Sequence, residues 1–239
     1  MRTAIAILAI ILITLSTASA STLEAVCDAE ADYALGSEDY PEAIRLHQQL
    51  IALHPGNALA HYHLGFAYGM MGRRADEIDE YVAAIALGDN DWDLYLNLGL
   101  AYLEDGKMEK SIESFKDGVA IDGSHYELHF DLAVAYERSG RFSEALPEIS
   151  AALRLNPGDL EIYNMQAAIY AELGDFGRAR AEWTTLTRAA PDYVPARHNL
   201  ELLDGLCDEG SGLPGPIGTR RTVWPRTPAA ASCLLGRSR

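Results

Sequence analysis

Residues 98–106 read LGLAYLEDG, and 34 positions further on residues 132–140 read LAVAYERSG. The same frame recurs at 64–72 as LGFAYGMMG and at 166–174 as QAAIYAELG. Tyr68, Tyr102, Tyr136 and Tyr170 keep one step, and Gly72, Gly106, Gly140 and Gly174 keep it four residues later. Small residues, Gly65, Gly99, Ala133 and Ala167, hold the second position of each copy. A fixed period of this length marks one supersecondary unit repeated along the chain, each copy covering the apolar face that its neighbour cannot bury alone.

Working outward, Pro55, Pro157 and Pro191 obey the same period and close their copies, because proline cannot continue a helix. The periodic glycine ends the first helix of each pair, where a residue without Cβ takes the left-handed conformation cheaply. The small residue lets the paired helices approach, and Tyr102, Tyr136, Phe115 and Trp183 fill the spaces between copies. The first copy is the least regular: it keeps Ala31, Ala43 and Pro55 but has Ala34 in the tyrosine position.

With L-G-x-x-Y, alanine, a bulky residue and proline at a spacing of 34, the chain resembles the tetratricopeptide repeat family. The resemblance implies an all-α, right-handed superhelical solenoid. Five helix pairs are expected at 24–57, 58–91, 92–125, 126–159 and 160–193, followed by a capping helix at 194–208. In that helix Pro195, Leu200, Leu203 and Leu206 face the last repeat, while Arg197, His198, Glu201 and Asp204 face water.

In this family the first helix of each pair lines a concave groove, so the resemblance also implies where a partner lies. Tyr62, Phe66 and Met70, then Leu96, Leu100 and Leu103, then Phe130 and Val134 form its expected apolar floor. Asp28, Asp32, Asp93, Glu104, Glu127, Glu137, Glu161 and Glu172 surround it with negative charge. Such a channel suits an amphipathic helix or an extended peptide bearing lysine or arginine. The family's carboxylate clamp on a chaperone tail needs lysine, arginine and asparagine in this groove; Asn97 and Arg138 alone do not supply it. Self-association through the same apolar surface is the alternative reading.

The formal net charge is −16, and the stretch after Gly210 holds five arginines and no acidic residue. Residues 1–210 therefore carry 14 basic against 35 acidic side chains, a net −21. A surface this acidic repels phosphate backbones and anionic headgroups, which disfavours nucleic acid as a partner.

At the N-terminus Arg2 precedes an apolar run from Ala4 to Leu15 and the small-residue end Ala18-Ser19-Ala20. That is the pattern of a signal peptide, 1–20, and it predicts export to a periplasm or beyond. The run is too short to span a bilayer, so no membrane span is expected in the mature chain; an uncleaved anchor is the rival. From 209 to 239 the composition turns basic and rich in Gly and Pro, predicting a disordered tail.

Enzyme chemistry has no visible constellation: G-x-S-x-G, H-E-x-x-H, P-loop and C-x-x-C patterns are absent from the sequence. Two histidine pairs invite a metal reading, His61 with His63 and His125 with His129. The first points in two directions, and His61 and His129 share the slot of Tyr95 and Tyr163. We therefore expect no catalytic residue, no metal and no cofactor.

Overall fold

The computed structural model describes residues 28–209. The expected signal peptide and all but the first residue of the expected tail lie outside the described residues, as do Cys27 and Cys233. Eleven helices and no strand occur among the described residues, so the chain is all-α. By its contacts it divides into two compact units, Met1–Asp89 and Asn90–Arg239.

The described part of the first unit contains α1 (Ala29–Gly36), α2 (Tyr40–Leu53), α3 (Ala58–Met70) and α4 (Arg74–Ala86). Asp28 begins α1 by accepting bonds from the amides of Glu30 and Ala31 at 3.0 and 3.2 Å, and Asn57 begins α3 through the amide of Ala60. Such caps satisfy amides that have no partner within the helix. Ala31, Ala34, Ala43, Leu46 and Ala67 form a core of small side chains, with Leu35, Tyr40 and Ile44 packed against it.

The described part of the second unit contains three helix pairs and a further helix: α5 (Trp92–Glu104) with α6 (Met108–Ile121), α7 (Tyr126–Arg138) with α8 (Phe142–Leu155), α9 (Leu160–Glu172) with α10 (Phe176–Ala189), then α11 (Val194–Glu209). Phe115, Leu128, Leu132, Ile149 and Ile162 are buried in one continuous core, and Ala179, Trp183, Leu186, Ala196 and Leu203 in the next. Along α11, Ala196, Asn199 and Leu203 are the buried positions, at helical spacing, while Arg197, Glu201 and Asp204 are exposed. Asp204 pairs with Arg180 of α10 at 2.8 Å.

Each first helix ends as the periodic glycine requires. Gly72, Gly106, Gly140 and Gly174 have φ of 70, 75, 71 and 80°. One residue beyond each, the amides of Arg73, Lys107, Arg141 and Asp175 bond the carbonyls of Tyr68, Tyr102, Tyr136 and Tyr170 at 2.8–2.9 Å. This closes the helix end through its otherwise orphaned carbonyl. In the first copy Glu38 occupies the glycine slot at φ 63°, with the amide of Asp39 bonded to the carbonyl of Ala34. The turn is thus kept without glycine, at the steric cost of a Cβ in the left-handed region.

The residue that opens each second helix uses one of two devices, a cap in the first and last copies and a cation in the three between. Asp39 and Asp175 cap α2 and α10 through the amides of Glu42 and Arg178. Arg73, Lys107 and Arg141 make no cap bond; their cations lie 4.2, 5.9 and 4.7 Å from the ring centres of Tyr68, Tyr102 and Tyr136. Cation–π attraction holds the turn there in place of the cap.

Candidate functional site

α5, α7 and α9, the first helices of three successive pairs, contribute side chains to one open depression of roughly 400 Å³ counting its mouth. Leu103, Phe130, Val134 and Met165 give it an apolar floor; Asp131, Glu137, Arg138 and Glu161 stand around it. Leu103, Val134 and Met165 are themselves buried, and Phe130 is half-buried. Phe130 is therefore the apolar side chain with most surface left to offer. Three carboxylates against one guanidinium give the rim an acidic field that favours cationic ligands.

Of the residues expected in and around the groove, the structure brings together Leu103, Phe130, Val134, Glu137 and Glu161. Leu96 and Leu100 pack partly against the core of the second unit. Asp93 turns its carboxylate to the amide of Leu94, and Glu127 is half-buried at the start of α7. In the first unit Phe66 and Met70 are exposed along α3, by 36 and 54%. Tyr62 instead packs its ring 5.8 Å from those of Tyr81 and His63. Asp131, Arg138 and Met165 belong to the depression and are not among the expected groove residues; the 34-residue step puts Asp131 and Met165 in the slot of Asn97 and marks them only as helix positions.

The histidine slots acquire a role that aromatic packing does not describe. His61 Nδ1 lies 2.6 Å from Glu80 and His129 Nδ1 lies 2.7 Å from Glu148, the same contact repeated 68 residues apart. His125 instead stacks on Trp92 with ring centres 3.5 Å apart, so it does not converge with His129.

In the last pair this slot holds Tyr163, and Glu182, 34 residues after Glu148, has no imidazole opposite it. Burial pushes the Glu182 carboxyl up to about 7, with Arg178 opposing weakly. A carboxyl whose folded pKa is raised holds its proton more tightly in the fold. The contribution of Glu182 to stability is therefore greatest below the ordinary carboxylate range and is lost as pH rises through about 7. Replacing Glu182 by Gln is expected to add about 1–2 kcal/mol near pH 8, after allowance for partial exposure, and little near pH 5. Urea midpoints of the two proteins at both pH values check this.

No helix among the described residues is long and apolar enough to cross a membrane. Comparison with curated protein sequences finds no match. Among solved structures the chain is similar to YrrB, described as a TPR protein with an unusual peptide-binding site: TM-score 0.68 and 19% identity over 72% of this chain and 89% of that one. MamA matches with TM-score 0.64 and 19% identity over 66 and 87% of the two chains. A tetratricopeptide repeat protein from Parabacteroides merdae matches with TM-score 0.67 and 16% identity over 73 and 71%. These likenesses concern the fold.

Family models described as tetratricopeptide repeat match residues 102–169, 138–201 and 71–126, and one described as TPR repeat matches 29–72. Together they run through the described helices from α1 into α11, and with the positive-φ glycines at one period they establish that the chain belongs to the tetratricopeptide repeat family.

Proposed function

We propose that the chain is a non-enzymatic protein-binding scaffold, and that the α5–α7–α9 face holds a basic or amphipathic segment of a partner protein. The observation that carries this reading is the apolar floor of Leu103, Phe130, Val134 and Met165 within the acidic ring of Asp131, Glu137 and Glu161. Apolar burial supplies affinity and the carboxylates supply orientation and encounter rate. YrrB, similar in fold, is described as having a peptide-binding site, which is consistent with such use of the fold. The signal-peptide pattern at 1–20 supports a periplasmic or secreted setting for the scaffold, in envelope or secretory assembly.

A panel of basic amphipathic peptides, titrated onto the protein by calorimetry at low and moderate salt, tests the site. The best ligand is expected to lose at least about tenfold in affinity against Phe130→Glu. It should also weaken against Glu137→Lys and as salt rises. Equal affinity for the parent protein and Phe130→Glu would place binding elsewhere.

A second reading rests on Phe66, Met70 and Met71, which are all exposed at the end of α3. Apolar side chains grouped in this way suit a protein interface, and self-association is the form named by the sequence. Light scattering over a concentration series separates the two, since a scaffold for a foreign peptide stays monomeric.

A further inference from the structure

Asp32 of α1, His47 of α2 and His63 of α3 meet inside the first unit, and one ligand-type atom from each lies within 4.8 Å of the others. His63 Nδ1 is 3.2 Å from Asp32 Oδ1, and the two imidazoles stand edge to face with centres 5.2 Å apart. His47 is 1% exposed, and neither of its ring nitrogens has a hydrogen-bond partner among the described residues. A buried imidazole that satisfies neither nitrogen is costly to keep unless something else occupies it.

The repeat pattern sharpens this. His47 stands in the slot that later copies give to Tyr81, Phe115, Ile149 and Trp183, all buried packing residues. His63 stands in the slot of Asn97, Asp131 and Met165, and Asp32 in that of Phe66, Leu100, Val134 and Ala168. Asp32 and His47 of the first copy thus depart from slots that are apolar or aromatic in later copies, and the fold brings both to one point with His63 of the second copy.

We infer that Asp32, His47 and His63 form a binding site for a divalent ion of the zinc class, joining α1, α2 and α3. Two imidazoles and a carboxylate are the donor set that such borderline ions take, with bonds of about 2.0–2.2 Å. Tetrahedral geometry at those bond lengths separates neighbouring ligand atoms by about 3.3–3.5 Å. The His63–Asp32 distance of 3.2 Å is already close to this, and the site requires the remaining ligand atoms to draw in from within 4.8 Å. Burial, with His63 as a like neighbour, pushes the His47 imidazole below its ordinary pKa and keeps it in the neutral, ligating form; Asp28 and Asp32 oppose that shift. Three protein ligands leave a fourth position for water or for a side chain of a partner. The ion would staple the first helix pair to the second, where the surrounding core consists of small side chains.

The test is titration of the full chain, first stripped by a chelator, with Co²⁺ followed spectroscopically and with Zn²⁺ against a chromophoric competitor. One equivalent is expected per chain, with the visible absorption of four-coordinate cobalt and a rise in melting temperature as Zn²⁺ saturates the site. His47→Phe places in the slot the residue found at Phe115, and His63→Asn the residue found at Asn97, so both are expected to stay helical. Each should weaken binding by more than about 100-fold, a direct ligand counting for more than the outer-shell partners whose loss costs 10- to 100-fold. No uptake by the parent protein overturns the inference. So does affinity retained by either folded variant, which would assign the uptake to the other histidines.

Discussion

Trp183→Ala is expected to lower the unfolding free energy by about 3–5 kcal/mol, among the largest losses available to a single truncation in this chain. The indole is fully buried in α10, between the helices on either side of it in sequence. Its Nε1 donates to Asn164 Oδ1 of α9 at 2.9 Å, and Asn199 Nδ2 of α11 donates to the same oxygen at 3.1 Å. Truncation therefore opens a cavity and removes one of the two donors from a buried acceptor, which is costlier than losing the apolar area alone.

Because repeat arrays draw stability from each unit and its neighbours, the damage should begin at the end that Trp183 ties down. Hydrogen exchange in Trp183→Ala is expected to accelerate first in α9, α10 and α11, with α5 and α6 following only at global unfolding. Trp183→Phe, which keeps most of the volume but not the donor, should lose about 1–2 kcal/mol and separates the two contributions. Uniform acceleration along the whole chain would mean that the end pair is not an independent cooperative segment.

How much of this was legible before the structure follows from which forces act locally. The periodic glycine answers to a single backbone torsion, so Gly72, Gly106, Gly140 and Gly174 predict their own φ and the helix ends with it. The terminal helix α11 is set by the spacing of its own buried residues, Ala196, Asn199 and Leu203. The depression was legible in part: periodicity puts Phe130 and Val134 on the inner helices but does not state how far each sinks into the core, and Val134 and Leu103 prove buried.

The cluster of Asp32, His47 and His63 was not legible at all. Its members lie on three helices, and no short motif contains them. Proximity in sequence singles out His61 with His63 and His125 with His129, whereas the structure sets His61 against Glu80 and His129 against Glu148, each 19 residues away across a helix pair. A search of each repeat slot for residues that break the slot's chemistry would have marked His47. Likewise the glycine period does not reveal Glu38, because the first copy keeps the left-handed turn while replacing its glycine.

The close packing of α5 on α6 yields the second large effect. A Cβ built on Gly99 falls 2.5, 2.6 and 2.9 Å from Phe115 Cε1, Cδ1 and Cζ. Phe115 is fully buried, so its ring has no solvent into which it can retreat. The hydroxyl of Ser111 also bonds the Gly99 carbonyl at 2.8 Å, which fixes the two helices at this separation. Replacing glycine by alanine inside a helix would by itself favour the helix by about 1 kcal/mol. Here the clash outweighs that gain, and Gly99→Ala is expected to lose a net 2 kcal/mol or so, the ordinary scale of overpacking. Phe115→Leu alone should lose about 1–2 kcal/mol by removing ring atoms from the core. The double variant is expected to be more stable than the two losses added together, because the smaller side chain makes room for the methyl group. A coupling of about 1 kcal/mol or more in a double-mutant cycle by urea unfolding would carry the argument. Strict additivity would show that α5 and α6 separate to absorb the methyl group, and that the small residue after each repeat leucine does not set the distance between paired helices.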